Sequence, residues 1–348
     1  MTDLAPRQSD VKTDSGTTVD GSRPASSGRR RRWHVVSLHA LVTNYALVGV
    51  WAVMAAFYAV VAPAFWTVPI AQSIFSSQSV LLTLGIASLC TFVVGEFDLS
   101  FAAVMGLSTT TVLVLSGLHD VNLALACLIA ILISVCCGLL NAFFVVFLEV
   151  PSLVVTLGFA SLFLGLAQFI AKSSIVSIQN PDFSKFALHP FLGLPVSFYY
   201  TLLLAAAFAY VIAWTPLGRH MVFTGANREV ARLAGINVNR IRAGAYVAGA
   251  LVAGLAGVLL VATVGGFDPT SAPTFLLPAL AAVFLGTAVV QPGKFNAMGT
   301  VIAIYFLATG IIGLQLLGYT GWVQDAFYGA GLVLAVTIAT VVRSRARR

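Results

Sequence analysis

The sequence predicts an all-α polytopic membrane protein of about ten transmembrane helices, built with an inverted internal repeat. Three observations lead there. Of 348 residues, 59% are hydrophobic and only 9% are charged, whereas a soluble domain carries about 25% charged side chains. No Lys or Arg occurs between residues 33 and 171, a stretch long enough for several crossings. The cations that do occur cluster beside segments that alternate to one side of a membrane. The same composition argues against a soluble enzyme, a nucleic-acid reader and a disordered chain. The net charge of +7 belongs to the two ends and one loop, which is a pattern of membrane topology and not of nucleic-acid affinity.

Residues 1–42 read as a disordered basic cytoplasmic tail, rich in Ser, Thr, Asp and Gly and too poor in apolar surface to offset its ordering entropy. Its basic run, Arg29 to Arg32, is expected to anchor a retained first helix rather than to form a cleaved signal. A transmembrane domain is expected over 43–342, and a second basic cytoplasmic tail over 343–348. About 20 apolar residues cross the hydrocarbon core as a helix. Cutting at polar, Gly and Pro punctuation gives spans near 44–62, 70–94, 99–117, 121–147, 153–171, 196–214, 243–264, 274–290, 296–317 and 321–342. The span at 274–290 is short and contains Pro278, so a full crossing and a half-helix both remain open.

An even count places both basic termini on one side. It puts the loop 215–242 there too, with Arg219, Arg228, Arg232, Arg240 and Arg242, and also Lys294. Near the membrane only Lys172 and Lys185 fall outside, as the positive-inside rule requires. Trp66, Trp214 and Trp322 fall at predicted span ends, where an amphipathic ring prefers to sit. Cys90, Cys127, Cys136 and Cys137 lie in apolar stretches without metal-ligand spacing and are expected to be buried packing residues.

No cofactor is expected. The nearest approach to a phosphate loop, A-V-V-Q-P-G-K-F at 288–295, lacks the first Gly and the final Ser or Thr. Most carboxylates outside the tail sit at span ends or in loops, which weakens a proton-relay reading because such relays place ionisable groups within the membrane. Asp325, near the start of the last span, is the exception. The most informative stretch is 227–235, which predicts a two-turn helix. Asn227 caps it, Glu229 complements its positive end, and Gly235 supplies a left-handed stop. Val230, Leu233 and Ala234 share one face. Two readings are open: a surface helix carrying a weak Glu229–Arg232 pair, or a helix that docks into a groove on a cytosolic partner.

A second signal is internal. G-E-F-D-L-S at 95–100 is echoed by G-G-F-D-P-T at 265–270, and the topology puts the two copies on opposite sides of the membrane. Glu96, Asp98, Ser100, Asp268 and Thr270 are therefore candidates for a solute pathway between the halves; capping of the following helices is the plainer role. Gly244, Gly249, Gly254, Ala256 and Gly257 are expected to permit close helix packing.

The loop, with L-G-R at 217–219, G-A-N at 225–227 and A-R-L-A-G-I-N-V at 231–238, resembles that of bacterial ATP-binding-cassette importer permeases, most closely the ribose-type sugar branch related to branched-chain amino-acid permeases. Glu229, Ala231 and Gly235 match the first, third and seventh positions of that family's E-A-A-x-x-x-G motif. G-E-F-D-L-S is similar to the sugar branch's G-G-I-D-L-S, and P-S-L-V-V-T-L-G at 151–158 also fits. The departures are Glu96 for the second Gly, and Pro292 and Phe295 around the glycine-lysine segment that holds Gly293 and Lys294. The resemblance runs from about residue 66 to the C-terminus.

It implies a non-enzymatic permease subunit in the bacterial cytoplasmic (inner) membrane with both termini cytoplasmic. Its implied partners are an ATP-binding cassette ATPase, an extracytoplasmic solute-binding protein, a second permease chain in a homodimer, and membrane lipid. The implied cargo is a small polar solute, a monosaccharide first, with a branched-chain amino acid or another small solute as alternatives. An ion-coupled secondary carrier is the alternative from a different class. Asn227, Arg228, Glu229, Ala231, Arg232, Gly235 and Asn237 are the implied ATPase-coupling residues.

Overall fold

The structure, a computed structural model, describes residues 38–346 apart from Gln179, with side chains over 45–337 except at Trp66, Ser76, Pro181 and Phe186. The basic run at 29–32, the rest of residues 1–37, and Arg347 and Arg348 lie outside the described residues.

Fourteen α-helices are described. In chain order, α1 covers Leu38–Val61, α2 Val68–Ser77, α3 Ser79–Phe92, α4 Phe101–Leu118, α5 Leu123–Ala142, α6 Ser152–Ile170 and α7 Pro181–Leu188. They continue with α8 over Val196–Trp214, α9 Pro216–Ala226, α10 Arg228–Leu233, α11 Val238–Val264, α12 Leu276–Gly286, α13 Ala297–Leu316 and α14 Trp322–Ala346. Helices α2 and α3 run on as one 25-residue crossing, and α5 extends through a widened turn to Phe147. A tighter turn over Pro269–Phe275 leads into α12, so the crossing that holds Pro278 reaches 18 residues.

Eight helices among the described residues are long and apolar enough to cross a membrane. The expected count of about ten is therefore not confirmed among them. Helices α1 and α14 occupy the other two predicted positions, but the apolar part of α1 with described side chains is only Tyr45–Val61, and α14 carries Asp325 in its first turn. Trp214 and Trp322 are exposed at helix ends, as amphipathic rings at an interface should be.

The bundle is organised around α11, which packs on α3, α4 and α5. Small residues permit the approach. A Cβ on Gly257 would stand 2.6 Å from the Met105 carbonyl oxygen, and one on Gly254 would meet the Ser134 hydroxyl. Hydroxyls then stitch α4 to α11: Ser108 Oγ donates to Gly254 O at 2.9 Å and Thr109 Oγ1 to Gly257 O at 3.2 Å. Gly244 departs from the expected packing role, since nothing among the described residues stands against it. Cys90 and Cys137 are buried and Cys127 is half-buried, but Cys136 is exposed. It lies on the outward face of α5 with exposed Leu132, Leu139 and Leu140, one helical turn away on either side.

Two sets of helices pack alike. Helix α4 packs with α5 and α6, α12 packs with α13 and α14, and α3 and α11 pack on each other. The turns that open the two sets share local geometry. Gly95 and Gly265 have φ of +76° and +74°. Asp98 Oδ1 accepts the Ser100 N–H at 2.8 Å, and Asp268 Oδ1 accepts the Thr270 N–H at 2.9 Å.

Two stretches are more ordered than the sequence suggested. The loop 215–242 is almost wholly helical, because Thr215, Asn227 and Asn237 each cap a helix and the last cap starts α11 five residues before the predicted span. The segment between α6 and α8 carries α7, a short hairpin (Pro190–Phe191 with Leu194–Pro195) and a strand, Val176–Ser177, paired antiparallel with Gly266–Phe267.

Candidate functional site

At the basic end of the bundle, α10 is a six-residue helix closed at both ends. Asn227 Oδ1 accepts the N–H groups of Glu229 and Val230 at 3.0 and 3.1 Å. At the other end Gly235, at φ +81°, donates to Arg232 O while Ile236 donates to Ala231 O, the paired bonds of a glycine stop. Such caps hold a helix too short to persist alone. Ala231 is the side chain turned inward, with no exposure. The face the sequence marks as apolar points the other way: Leu233 is 89% exposed and Val230 46%. Glu229 and Arg232 make no ion pair with each other among the described residues; both line a cleft of about 510 Å³ beneath the helix.

That cleft also holds a buried carboxylate with two arginine partners. Glu96, 3% exposed, lies in the turn between α3 and α4. Its Oε1 accepts from Arg228 Nη2 at 2.7 Å and Arg242 Nε at 2.5 Å, and its Oε2 accepts from the Tyr246 hydroxyl at 3.3 Å. Arg228 also donates to Gly95 O, and Arg242 Nη2 to Val145 O. The first residue of α10, the first turns of α11, the end of α5 and the α3–α4 turn are thus joined at one carboxylate. Close approach of backbones makes this possible: a Cβ on Gly225, near the end of α9, would collide with the Val93 carbonyl oxygen.

Two residues along, Asp98 Oδ1 also accepts the Ser100 hydroxyl at 2.7 Å, and Asn141 Nδ2 donates to Ser100 Oγ at 2.7 Å. Burial pushes the Asp98 carboxyl above the usual carboxylate range, and the two bonds from Ser100 partly offset it. Asn141 Oδ1 is buried with no hydrogen-bond partner among the described residues. Asp268 and Thr270 lie beyond the far end of α11, whereas Tyr246 is in its third turn; the intervening helix separates the two turns by roughly 27 Å. The structure therefore brings Glu96, Asp98 and Ser100 together and sets Asp268 and Thr270 at the opposite end. Asn237 caps α11 by accepting the Arg240 N–H at 3.1 Å.

Beside the same end, a cleft of about 620 Å³ is lined by Phe92, Phe97, Phe208, Phe295 and Lys294 among others. Asn296 fixes its floor, donating to Gly286 O, Val289 O and Lys294 O and accepting the Gly299 N–H. Arg242, Tyr246, Asn141 and Asn296 are the structural participants that sequence reasoning missed. For Arg242 a signal existed: an arginine this close to a long apolar run needs a counter-charge, and Glu96 is the carboxylate standing where the resembled motif has glycine.

A multi-pass helical bundle with a capped helix presented at its basic end fits a membrane permease. The chain belongs to the family described as the permease component of the branched-chain amino-acid transport system, whose sequence model matches residues 70–336. Within it the chain is an ATP-binding-cassette importer permease of the ribose type, a transport subunit and not an enzyme, whose ATPase is a separate partner, and it is a multi-pass inner-membrane protein. It is 33% identical over 269 residues, 75% of this chain and 81% of the relative, to the autoinducer 2 import system permease protein LsrD of Escherichia coli O9:H4 (strain HS). Against LsrD of Salmonella paratyphi B identity is 31% over 269 residues, 75% of this chain and 81% of the relative. Against LsrC of Photorhabdus luminescens it is 26% over 265 residues, 76% of this chain and 80% of the relative. No solved structure matches the chain.

Proposed function

We propose that this chain, with a second copy of itself, forms the passage by which an importer moves a small polar solute inward, a monosaccharide first among candidates, using ATP hydrolysed by the partner subunit. The observation that carries the proposal is the face of α10. A helix capped at both ends turns its apolar side chains Leu233 and Val230 outward and Ala231 inward, so its apolar surface is arranged for something outside this chain. Asn227, Arg228, Glu229, Ala231, Arg232, Gly235 and Asn237 build and hold that helix against the ATPase. Both termini lie on its side of the membrane, 215–242 is the coupling segment of a permease domain over 43–342, and lipid covers the exposed apolar faces of α5, α6 and α8.

In this reading, nucleotide-driven closure of the ATPase displaces α10, and the displacement passes to the turns that bound the passage. Glu96, Asp98 and Ser100 stand at its inner end; Asp268 and Thr270 stand at the outer end, where a solute-binding protein delivers cargo. The autoinducer 2 import named in the relatives supports a small polar cargo. The family's description favours a second reading, a branched-chain amino acid. Reconstitution of the chain with its ATPase and binding protein in proteoliposomes tests the proposal. Uptake should require ATP inside and binding protein outside; uptake driven by an ion gradient through the chain alone would overturn it.

A further inference from the structure

We propose that Glu96 is a positioning residue that latches the α3–α4 turn to the coupling helix, so that movement of α10 is delivered to the inner end of the passage through the Arg228–Glu96–Arg242 cluster. The inference rests on the coupling role proposed above and names the linkage that role requires.

The geometry is that of a mechanical joint. Arg228 is the first residue of α10, beside its Asn227 cap, so its backbone moves with the helix. Its Nη2 reaches two groups of the α3–α4 turn at once, Glu96 Oε1 at 2.7 Å and Gly95 O at 3.1 Å. Arg242, 6% exposed, holds the same Oε1 from the first turns of α11 and ties it to the end of α5 through Val145 O. The turn so held continues directly into Asp98 and Ser100, and through Ser100 to Asn141 of α5.

The charges are interdependent. A glycine at 96, as in the resembled motif, would leave Arg242 buried without a counter-charge, a costly arrangement. Glu96 and Arg242 therefore belong together as one device. Arg228, whose side chain is 41% exposed, is the separable member, the one that connects the buried pair to the moving helix. Charge-assisted bonds suit such a joint because they are short and directional.

The test uses the assembled importer in proteoliposomes, reading solute taken up per ATP hydrolysed and the ATPase retained on the complex. E96Q and R228Q should each lower uptake per ATP hydrolysed at least tenfold, a ratio that does not depend on how much ATPase the complex retains. The double variant E96Q/R228Q should lose no more than E96Q alone, because both break one linkage, and R228K should recover most of the coupling. Wild-type uptake per ATP in R228Q, or losses that multiply in the double variant, would overturn the latch. Should E96Q fail to reach the membrane, R228Q and R228K decide the matter by the same ratio. A wild-type assembly with no ATP-driven uptake would overturn the coupling role and the latch together, whereas normal wild-type uptake with normally coupled variants removes the latch alone.

Discussion

Leu233→Ala separates a docking surface from a piece of the chain's own core. Leu233 is 89% exposed and belongs to a helix whose fully buried side chain is Ala231. Removing it should leave the stability of the isolated chain within about 0.5 kcal/mol, the usual range for a surface change, and Ala suits a helix at least as well as Leu. In a docked complex the same side chain is removed from water. Full burial of a leucine is worth about 1.5–3 kcal/mol. Loss of most of that, about 2 kcal/mol, weakens binding roughly 30-fold. The assay is titration of purified ATPase subunit onto the chain in lipid nanodiscs, wild type against L233A, with thermal unfolding of each chain alone. Unchanged ATPase affinity would refute docking through this face. A clear fall in the melting temperature of the isolated chain would show that Leu233 packs internally.

Three further expectations concern the scaffold. Asp98→Asn keeps the Oδ1 acceptor for Ser100 and removes a buried charge. Because the folded carboxyl is raised above its ordinary value of about 3.9, the stability it contributes as a neutral group is complete below that value and is lost as pH rises through the folded one. The variant should therefore unfold at higher temperature than the wild type at pH 8, with the difference shrinking toward pH 4; a more stable wild type at pH 8 would contradict this. Gly257→Leu drives a side chain into the Met105 carbonyl and Ser108 on α4, and the loss of folded chain should show in size-exclusion profiles of the solubilised protein. Gly225→Ala pushes a methyl group at the Val93 carbonyl at a cost of about 1–3 kcal/mol, which limited proteolysis should detect as faster cleavage within 215–242.

What the sequence made legible was what neighbouring residues decide. Span lengths follow from runs of apolar side chains, and α8 begins and ends where they indicate. The helix at 227–235 could be read because its cap, its acidic first turn and its glycine stop lie within nine positions of one another. The direction of its apolar face could not, since that depends on Ala231 finding a buried place and Leu233 not. In sequence Arg242 looks like one more loop cation, because its partner Glu96 lies 146 positions away. Cys136 resembled Cys137 in sequence, but adjacent positions on a helix face about 100° apart, and only one meets the core. The fold of the 172–195 segment rests on a strand pairing with Gly266 and Phe267 that no local pattern announces.

The most direct test of the central claim is photo-crosslinking from position 233 in the assembled importer, carried out in inner-membrane vesicles during turnover. Crosslinks from that position to the ATP-hydrolysing subunit, strengthened or weakened by nucleotide, are the expected result. Crosslinks only to lipid, or labelling of position 233 by an impermeant reagent added outside intact cells, would contradict it.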